Sequence, residues 1–586
     1  MAAYRLNQLK KAKGIYLTIE KKYWDKNIKQ ARAKHIESLG YLHELEEQYP
    51  DPIAHYQEMV QQMNKEEETS KKISLSIDMN EQMDEETNHV YNLGYAVIMK
   101  LYHELELDRF FNNKARHENF TYNTNSIMKL LVTTRILKPK SKKSSYEYKD
   151  HFFERHDFEL AHIYRALSHY AKIGMECQQH VYQEIAEKYG RNTEIVYFDV
   201  SNFYFEIDKE DDLRRRGKSK EGRKDPIIQI GLAMDADGIP MHYQLFPGNT
   251  HDSQTFIPVI KEIYVKYNPG RIIAVADMGV ISSDNIYFMK GGDRDKRVNG
   301  YVLSFSIRKA TESFQDYVLN QTGYTDVNGL PLKEDATFKI KSQIDVREIQ
   351  VRMKNGKKKK MLIDEKQIIF WNKNYADKSR AERAEIIQKA QAILNDPQKY
   401  TKSSASRADT YIKNITYDKN TGEIVEEPGN KLMLDLEKIE QDSLFDGYYC
   451  IVTSELDMSA SKAIEIYRGL SEIEDTFKVS KSNLDLRPVY ISRPERINAH
   501  VLVCFLSLVI IRLIQKKTSY QFTPDQIVNC LNRISCVLED QNIYLFGYRT
   551  RISDEIGKVF NIDFTRKRLF LHEIKNILAL AKTKQI

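Results

Sequence analysis

The period of the hydrophobic pattern changes several times along the chain, and each change marks an element. The stretch 194-EIVYFDVSNFYFEI-207 is apolar at Ile195, Val196, Tyr197, Phe198, Val200, Phe203 and Phe205. Such a near-continuous run predicts a central strand buried on both faces. The runs 227-IIQIGLAMD-235 and 239-IPMHYQLF-246 flank Ala236-Asp237-Gly238, a hairpin turn signal. Helical spacing follows in 253-SQTFIPVIKEIYVKY-267, and strands return at 271-RIIAVAD-277 and 301-YVLSFSI-307. Residues 346–371 predict a hairpin around Asn355-Gly356, residues 377–395 a charged helix, and residues 410–427 further short strands. The apolar strand 447-GYYCIVTSE-455 then precedes a helical C-terminal part. Its run 501-VLVCFLSLVIIRLI-514 is short for a bilayer and is broken by Arg512, so it predicts a buried helix.

Before Glu194 the texture differs. Residues 1–36 carry ten basic and two acidic side chains. Strands are expected at 14–24 and 29–40, then a helix over 51–64 with Asp51 as N-cap and Pro52 at the first helical position. The resulting division is a basic N-terminal DNA-binding region (1–64), an acidic linker (65–88) and a helical domain (89–190). A core in two parts (191–308 and 446–586) follows, interrupted by a β-rich insertion domain (309–445).

The first core strand carries a carboxylate, Asp199, within its apolar run, and a charge buried there needs a partner. The strand 271–277 ends on a second isolated acid, Asp277. Three antiparallel strands, a crossover helix and a parallel strand are the layout of ribonuclease H-like α/β cores. In such a core the first and fourth strands are neighbours. Asp199 and Asp277 then come together, and two adjacent carboxylates favour a shared cation.

A third acid is expected from the helix within 458-MSASKAIEIYRGLSEIEDTFKVSKS-482, capped by Asp457 or Ser459. At about 100° per residue, Ile466, Leu470, Ile473 and Phe477 form one apolar stripe. Tyr467, Glu474 and Lys481 follow the edge of that stripe, which aims Glu474 at the acidic end of the sheet, while Glu472 and Asp475 point elsewhere. Mg²⁺ takes oxygen ligands and is commonly held by a few carboxylates and a substrate phosphate. Two such ions about 4 Å apart stabilise the attacking and leaving oxygens of a phosphoryl displacement. The cofactor expected is therefore Mg²⁺, with Mn²⁺ as a substitute, two ions per site.

Composition narrows the class without setting it. With 586 residues and 41% hydrophobic positions the chain folds as several globular parts. Its formal charge is only +6, so contacts to nucleic acid must come from local patches. The five cysteines form no CxxC pair, which argues against a zinc site and for a reducing compartment. The N-terminus lacks an apolar signal core, and a cytoplasmic location is expected, with nucleoid association when DNA is bound and no membrane partner.

These stretches together resemble the DDE transposases of bacterial insertion sequences. The nearest group carries a Tyr-Arg-Glu-Lys signature around its third acid. Tyr467, Glu474 and Lys481 match that signature in register; its Arg position is Leu470, with Arg468 nearby as a substitute. The resemblance extends to Asp199 in YFDVSNF, to Gly248, Asn249 and Asp252, to Asp277 in VADMGV, and to the run from Leu486 to His500. It implies Asp199, Asp277 and Glu474 as catalytic, metal-binding residues. It further implies an enzyme that recognises its own terminal inverted repeats in double-stranded DNA. Such an enzyme frees a 3′-hydroxyl and joins it to target DNA by a cut-and-paste route, acting as a homodimer in a synaptic complex.

Tyr467, Arg468 and Lys481 are expected to contact DNA backbone, as are Arg214, Arg215, Arg216, Lys218 and Lys220 in 214-RRRGKSKEGRK-224 and the run 357-KKKK-360. Trp371 is a candidate for stacking on an unpaired base, the alternative being packing at the hairpin end. Asp252 is as suited to starting a helix as to chemistry, and His251 and His500 read as structural. Rival readings are a ribonuclease H-like nuclease or resolvase, and a DNA-binding descendant without catalysis. A glycosidase is disfavoured by the two tryptophans, too few for a sugar cleft.

Overall fold

In the computed structural model the chain forms two compact units, Met1–Thr87 and Asn88–Ile586. The structure describes residues 3–583 except 26–29, 70–79, 81, 83–89, 219–223, 278, 281, 293–297, 354, 402–404, 406, 418–423, 426–430, 483–490, 492 and 540–541.

The smaller unit is a three-stranded antiparallel sheet of Ala3–Lys11, Gly14–Asp25 and Gln30–Tyr41, with the helix Pro52–Thr69 against the first strand. Asn64 fastens that helix to the sheet: its Oδ1 accepts from the Tyr4 amide at 2.7 Å and its Nδ2 donates to the Tyr4 carbonyl at 2.9 Å. Leu17, Leu45 and Tyr56 are buried beneath it. The strand Ala3–Lys11 was not expected, because YRLNQLKK alternates too weakly to signal one.

The larger unit is mixed α/β and is built on an eight-stranded mixed sheet. Its strands are β1 (Ile195–Tyr204), β2 (Ile227–Met234), β3 (Pro240–Pro247), β4 (Ile273–Ala276), β5 (Gly300–Phe305), β6 (Phe338–Arg352), β7 (Lys358–Asn372) and β8 (Tyr448–Thr453). They lie in the order β6-β7-β8-β5-β4-β1-β2-β3. Strands β1, β2 and β3 form an antiparallel meander. Strand β4 then pairs parallel to β1, and β5 parallel to β4. A parallel return requires a crossover, and the helix Asp252–Tyr267 between β3 and β4 supplies it.

The helices that matter for the site are α1 (Leu160–Tyr189), α2 (Asp252–Tyr267), α3 (Lys373–Asn395), α4 (Ala460–Arg468), α5 (Leu470–Ser482) and α6 (Ile497–Lys517). Alternation along β1 separates two cores. Val196, Phe198 and Val200 meet Phe256, Val259 and Ile263 of α2 on one face. Tyr197 and Phe203 join the cluster of α1, α4, α5 and α6 on the other.

Helix α6 is long and apolar enough by itself to cross a membrane, yet 94% of its apolar window is enclosed by the rest of the fold. Its one charge within the apolar run, Arg512, donates from Nε to the Gly238 carbonyl at 2.8 Å and from Nη1 to Gln515 Oε1 at 3.0 Å. Gly238 has φ +71°, and a Cβ there would fall 2.2 Å from Arg512 Nη2, so the β2–β3 turn requires glycine twice over.

Two expectations change. The 309–445 segment is not set apart as a β-rich domain: the hairpin β6–β7 extends the central sheet through β8. Helix α3 and the short pairs Ile412–Lys413 with Met433–Leu434 and Thr416–Tyr417 with Ile424–Val425 lie outside that sheet, around a small core including Ala390, Ile393 and Tyr411. The regions expected to be helical before residue 190 and after residue 455 also share a four-stranded sheet. It is formed by Val90–Asn92, Ser535–Leu538, Ile543–Phe546 and Arg568–Phe570. Strands of three or four residues are too short to establish a period.

Candidate active site

The strand register builds the site. Parallel pairing couples Ile195 to Ile273, Val196 to Ala274 and Tyr197 to Val275. Two residues further on, the same offset sets Asp199 level with Asp277, which follows the last residue of β4. Pairing of β4 with β5 continues the row from Ala276 and Leu303 to Asp277 and Ser304. Continued past the end of β4, these offsets align Asp199, Asp277 and Ser304 in one row across neighbouring chain segments, at the strand spacing of about 4.8 Å. Asp199 is half-buried and Asp277 is exposed at the strand's carboxyl end. Ser304 Oγ donates to Asp277 Oδ1 at 2.8 Å.

The candidate third acid, Glu474, lies on α5 of the helix pair α4–α5. Ser459 caps α4, accepting from the Lys462 amide at 3.2 Å. Gly469, itself in right-handed helical conformation, separates α4 from α5. A Cβ at Gly469 would lie 2.0 Å from the Tyr197 hydroxyl, so the backbone rests directly on β1. The Tyr197 hydroxyl donates to the Ile466 carbonyl at 3.1 Å and locks that approach. Ile466, Leu470 and Ile473 are buried against the sheet, and Glu474 is exposed beside them. The apolar stripe thus behaves as its spacing implies through Ile473; the side chain of Phe477 lies outside the described residues.

Tyr467 ties the two halves together. Its hydroxyl donates to Asp277 Oδ1 at 3.4 Å. Burial first, and then the charges of Asp277 and Glu474, raise the phenol well above its ordinary pKa, against a lowering hydrogen bond with Ser304. One side chain therefore senses two of the three acids. Ser304 was missed by sequence reasoning, because a serine in YVLSFSI gives no signal until the register of β4 and β5 is known.

A further carboxylate borders the site. Asp252 is the first residue of α2, with His251 at the N-cap position. A Cβ built on Gly279 would lie 3.6 Å from Asp252 Oδ2, so this carboxylate faces the turn just after Asp277.

Among the described residues, no three His, Cys, Asp or Glu side chains close on one another as a ready metal cage. The donor set is nonetheless all hard oxygen: the in-register pair Asp199 and Asp277, and Glu474 from the helix. Mg²⁺ retains waters and is held by one or two carboxylates together with substrate phosphates. A pair of aligned carboxylates open to substrate fits that chemistry.

The expected DNA contacts divide into exposed and engaged side chains. Arg468 is exposed on α4, whereas Leu470, at the signature's Arg position, is 5% exposed in the core. Arg214 is turned inward, contrary to expectation: its Nε lies 2.5 Å from Asp211 Oδ2 and its guanidinium 5.5 Å from the Phe205 ring centroid. Arg215 is half-buried between Glu210 and Asp212. Arg216 and Lys218 are exposed. Lys220 and the side chain of Lys481 lie outside the described residues. Trp371 is half-buried: its Nε1 donates to the Asp446 carbonyl at 3.0 Å, and Lys339 Nζ stands 5.3 Å from its ring centroid.

The transposase DDE domain family matches residues 193–510, more than half of the chain, from just before β1 to within α6. No curated protein matches the chain. A solved structure described as a Mos1 transposase paired-end complex with left transposon end matches at 11% identity, over 43% of this chain and 69% of that chain, with a TM-score of 0.13. The span that contains the aligned aspartates and the Glu474 helix is thus the span that the family defines, and the chain belongs to the transposase DDE domain family.

Proposed function

We propose that the chain is a metal-dependent DNA transposase that cleaves the ends of its own element and transfers the freed 3′-hydroxyl to target DNA. The observation that supports this reading is the parallel register of β1 and β4, Tyr197 opposite Val275, which continued by two residues brings Asp199 opposite Asp277, with the helix that carries Glu474 seated on β1. The order β3-β2-β1-β4-β5, with only β2 antiparallel, is that of a ribonuclease H-like core and supports it.

Asp199, Asp277 and Glu474 would hold divalent ions, Mg²⁺ or Mn²⁺, which stabilise the charge of an attacking and a leaving oxygen in phosphoryl displacement. Ser304 and Tyr467 hold the Asp277 carboxylate in one orientation through Oδ1. Arg468, Arg216 and Lys218 are exposed cations suited to DNA phosphates. The smaller unit exposes Lys10, Lys11, Lys13, Lys22, Arg32 and Lys34, and is assigned to the inverted repeats. The enzyme acts as a dimer on paired ends in the cytoplasm.

The test is strand cleavage of a supercoiled plasmid bearing the gene and its flanks. Breaks at the flanks are expected with Mg²⁺ and not with chelator. Asp199→Ala and Glu474→Ala should each lower the rate about 10³-fold, equivalent to ~4 kcal/mol. Cuts scattered without regard to the flanks would instead identify a plain nuclease.

A further inference from the structure

A cavity of about 430 Å³ opens in the larger unit between the first turn of the helix Thr124–Leu137, residues 153–155 and the C-terminal helix Leu571–Lys582. Four cations line it, Lys129, Arg155, Lys575 and Lys582, against one carboxylate, Glu154. Lys582 Nζ is paired with Glu154 Oε1 at 2.6 Å. Burial works to raise the Glu154 pKa, and Lys129 and Lys582 more than offset it, so the group is held ionised below its usual range. Arg155 and Lys575 are exposed and form no ion pair among the described residues. Lys129 is half-buried, and burial lowers its pKa with Glu154 only partly restoring it. The wall thus holds more positive charge than its own acid can neutralise.

The floor offers a neutral donor as well. Asn125 is 6% exposed and lines the cavity. Its Oδ1 already accepts from the Tyr102 hydroxyl at 2.9 Å, which leaves its amide hydrogens as the group it presents. The cavity also borders the N-terminal end of a 14-residue helix, whose dipole favours negative charge there. An open hollow with this lining suits an anion rich in oxygen acceptors.

We propose that this cavity is a phosphate-binding site that seats a phosphodiester of the DNA backbone, away from the Asp199–Asp277 site. Arg155, Lys575 and Lys582 stand exposed at the rim, where a continuous strand touches several of them at once. That arrangement favours a strand over a free anion. The proposal rests on the reading of the chain as an enzyme acting on DNA.

Arg155→Ala combined with Lys575→Ala tests it in the full chain, since both side chains are exposed and form no ion pair among the described residues, and the melting temperature should not move. Binding of a fluorescent mixed-sequence duplex is measured across a salt series, with inorganic phosphate titrated separately. A phosphate contact is sequence-independent and each one lost lowers the salt slope by about one. The double variant should bind about 10-fold more weakly on every sequence, with a slope smaller by about two. Arg155→Lys with Lys575→Arg should restore both. Wild-type affinity and slope in the double variant would overturn the proposal. Loss of inorganic phosphate binding with DNA affinity untouched would overturn it too, and assign the cavity to a free anion. Failure of the wild-type chain to bind DNA at all would count against the proposed function instead.

Discussion

Ser304 Oγ donates to Asp277 Oδ1 at 2.8 Å across neighbouring parallel strands, while Tyr467 approaches the same oxygen from the helix side at 3.4 Å. A carboxylate fixed at one oxygen presents the other in a set direction, and groups that orient a metal-binding carboxylate are commonly worth 10–100-fold in affinity or activity. Ser304→Ala should therefore reduce Mg²⁺-dependent cleavage by about 10-fold and raise the Mg²⁺ concentration needed for half-maximal rate. Ser304→Thr should retain most of the activity. Ser304 is half-buried, so the melting temperature should change little. Cleavage by the alanine variant at the wild-type rate and Mg²⁺ requirement would remove Ser304 from the site.

Gly469 is where the Glu474 helix meets β1, because a Cβ there would overlap the Tyr197 ring and hydroxyl. Gly469→Ala forces the helix or the Tyr197 side chain to shift, and overpacking of this kind costs about 1–3 kcal/mol. A shift of the helix moves Glu474 with it. Cleavage should fall by at least about 10²-fold while most of the fold persists, since a small misplacement of a reacting group has that effect. Gly270, with nothing within 4 Å of a built Cβ, serves as the control: Gly270→Ala should leave both melting and cleavage unchanged. Full activity in Gly469→Ala would show that the contact with Tyr197 does not position the acid.

Leu470 occupies the position at which the resemblance leads one to expect arginine, and it is buried with Ile466 and Ile473. Leu470→Arg would place an unpaired charge in that core. It should destabilise the protein by about 3 kcal/mol or more and give no gain in DNA affinity. Arg468→Ala, at an exposed position two residues earlier, should weaken DNA binding without altering melting. A Leu470→Arg protein that melts normally and binds DNA more tightly would mean that the helix can turn its stripe outward.

The contrast between these positions shows what the sequence disclosed. Asp199 and Asp277 were legible because a carboxylate inside or at the end of an apolar strand has few explanations, and the strand order then makes them neighbours. Glu474 was nominated from one helical stripe, and its exposed place next to buried Ile473 follows that spacing. Ser304 was not legible, because it matters only through the register between β4 and β5. Arg214 misled for the opposite reason. Its charge run looks solvated in one dimension, but the preceding acids, Glu210, Asp211 and Asp212, fold back on it. The four-stranded sheet joining Val90–Asn92 to Ser535–Leu538 pairs segments more than 400 residues apart, and no local pattern reports such a contact.

A buried cation gives a prediction that turns on pH. Lys142 is 6% exposed, with its Nζ 3.1 Å from His500 Nδ1. Burial, with a smaller contribution from Arg135, pushes its pKa down to about 7 from the ordinary 10.5. Between those two values the unfolded chain binds a proton that the folded chain does not, so stability rises with pH across this window. Below about pH 7 the lysine is charged in both states and the full cost of burying it is present. Lys142→Met conserves volume and removes the charge. The variant should be more stable than wild type by about 2 kcal/mol near pH 6, and the gain should shrink steadily toward pH 10. Melting temperatures of the two proteins at several pH values test this directly. A difference independent of pH would mean that Lys142 keeps its proton in the folded state over the whole range, held by partners that outweigh its burial.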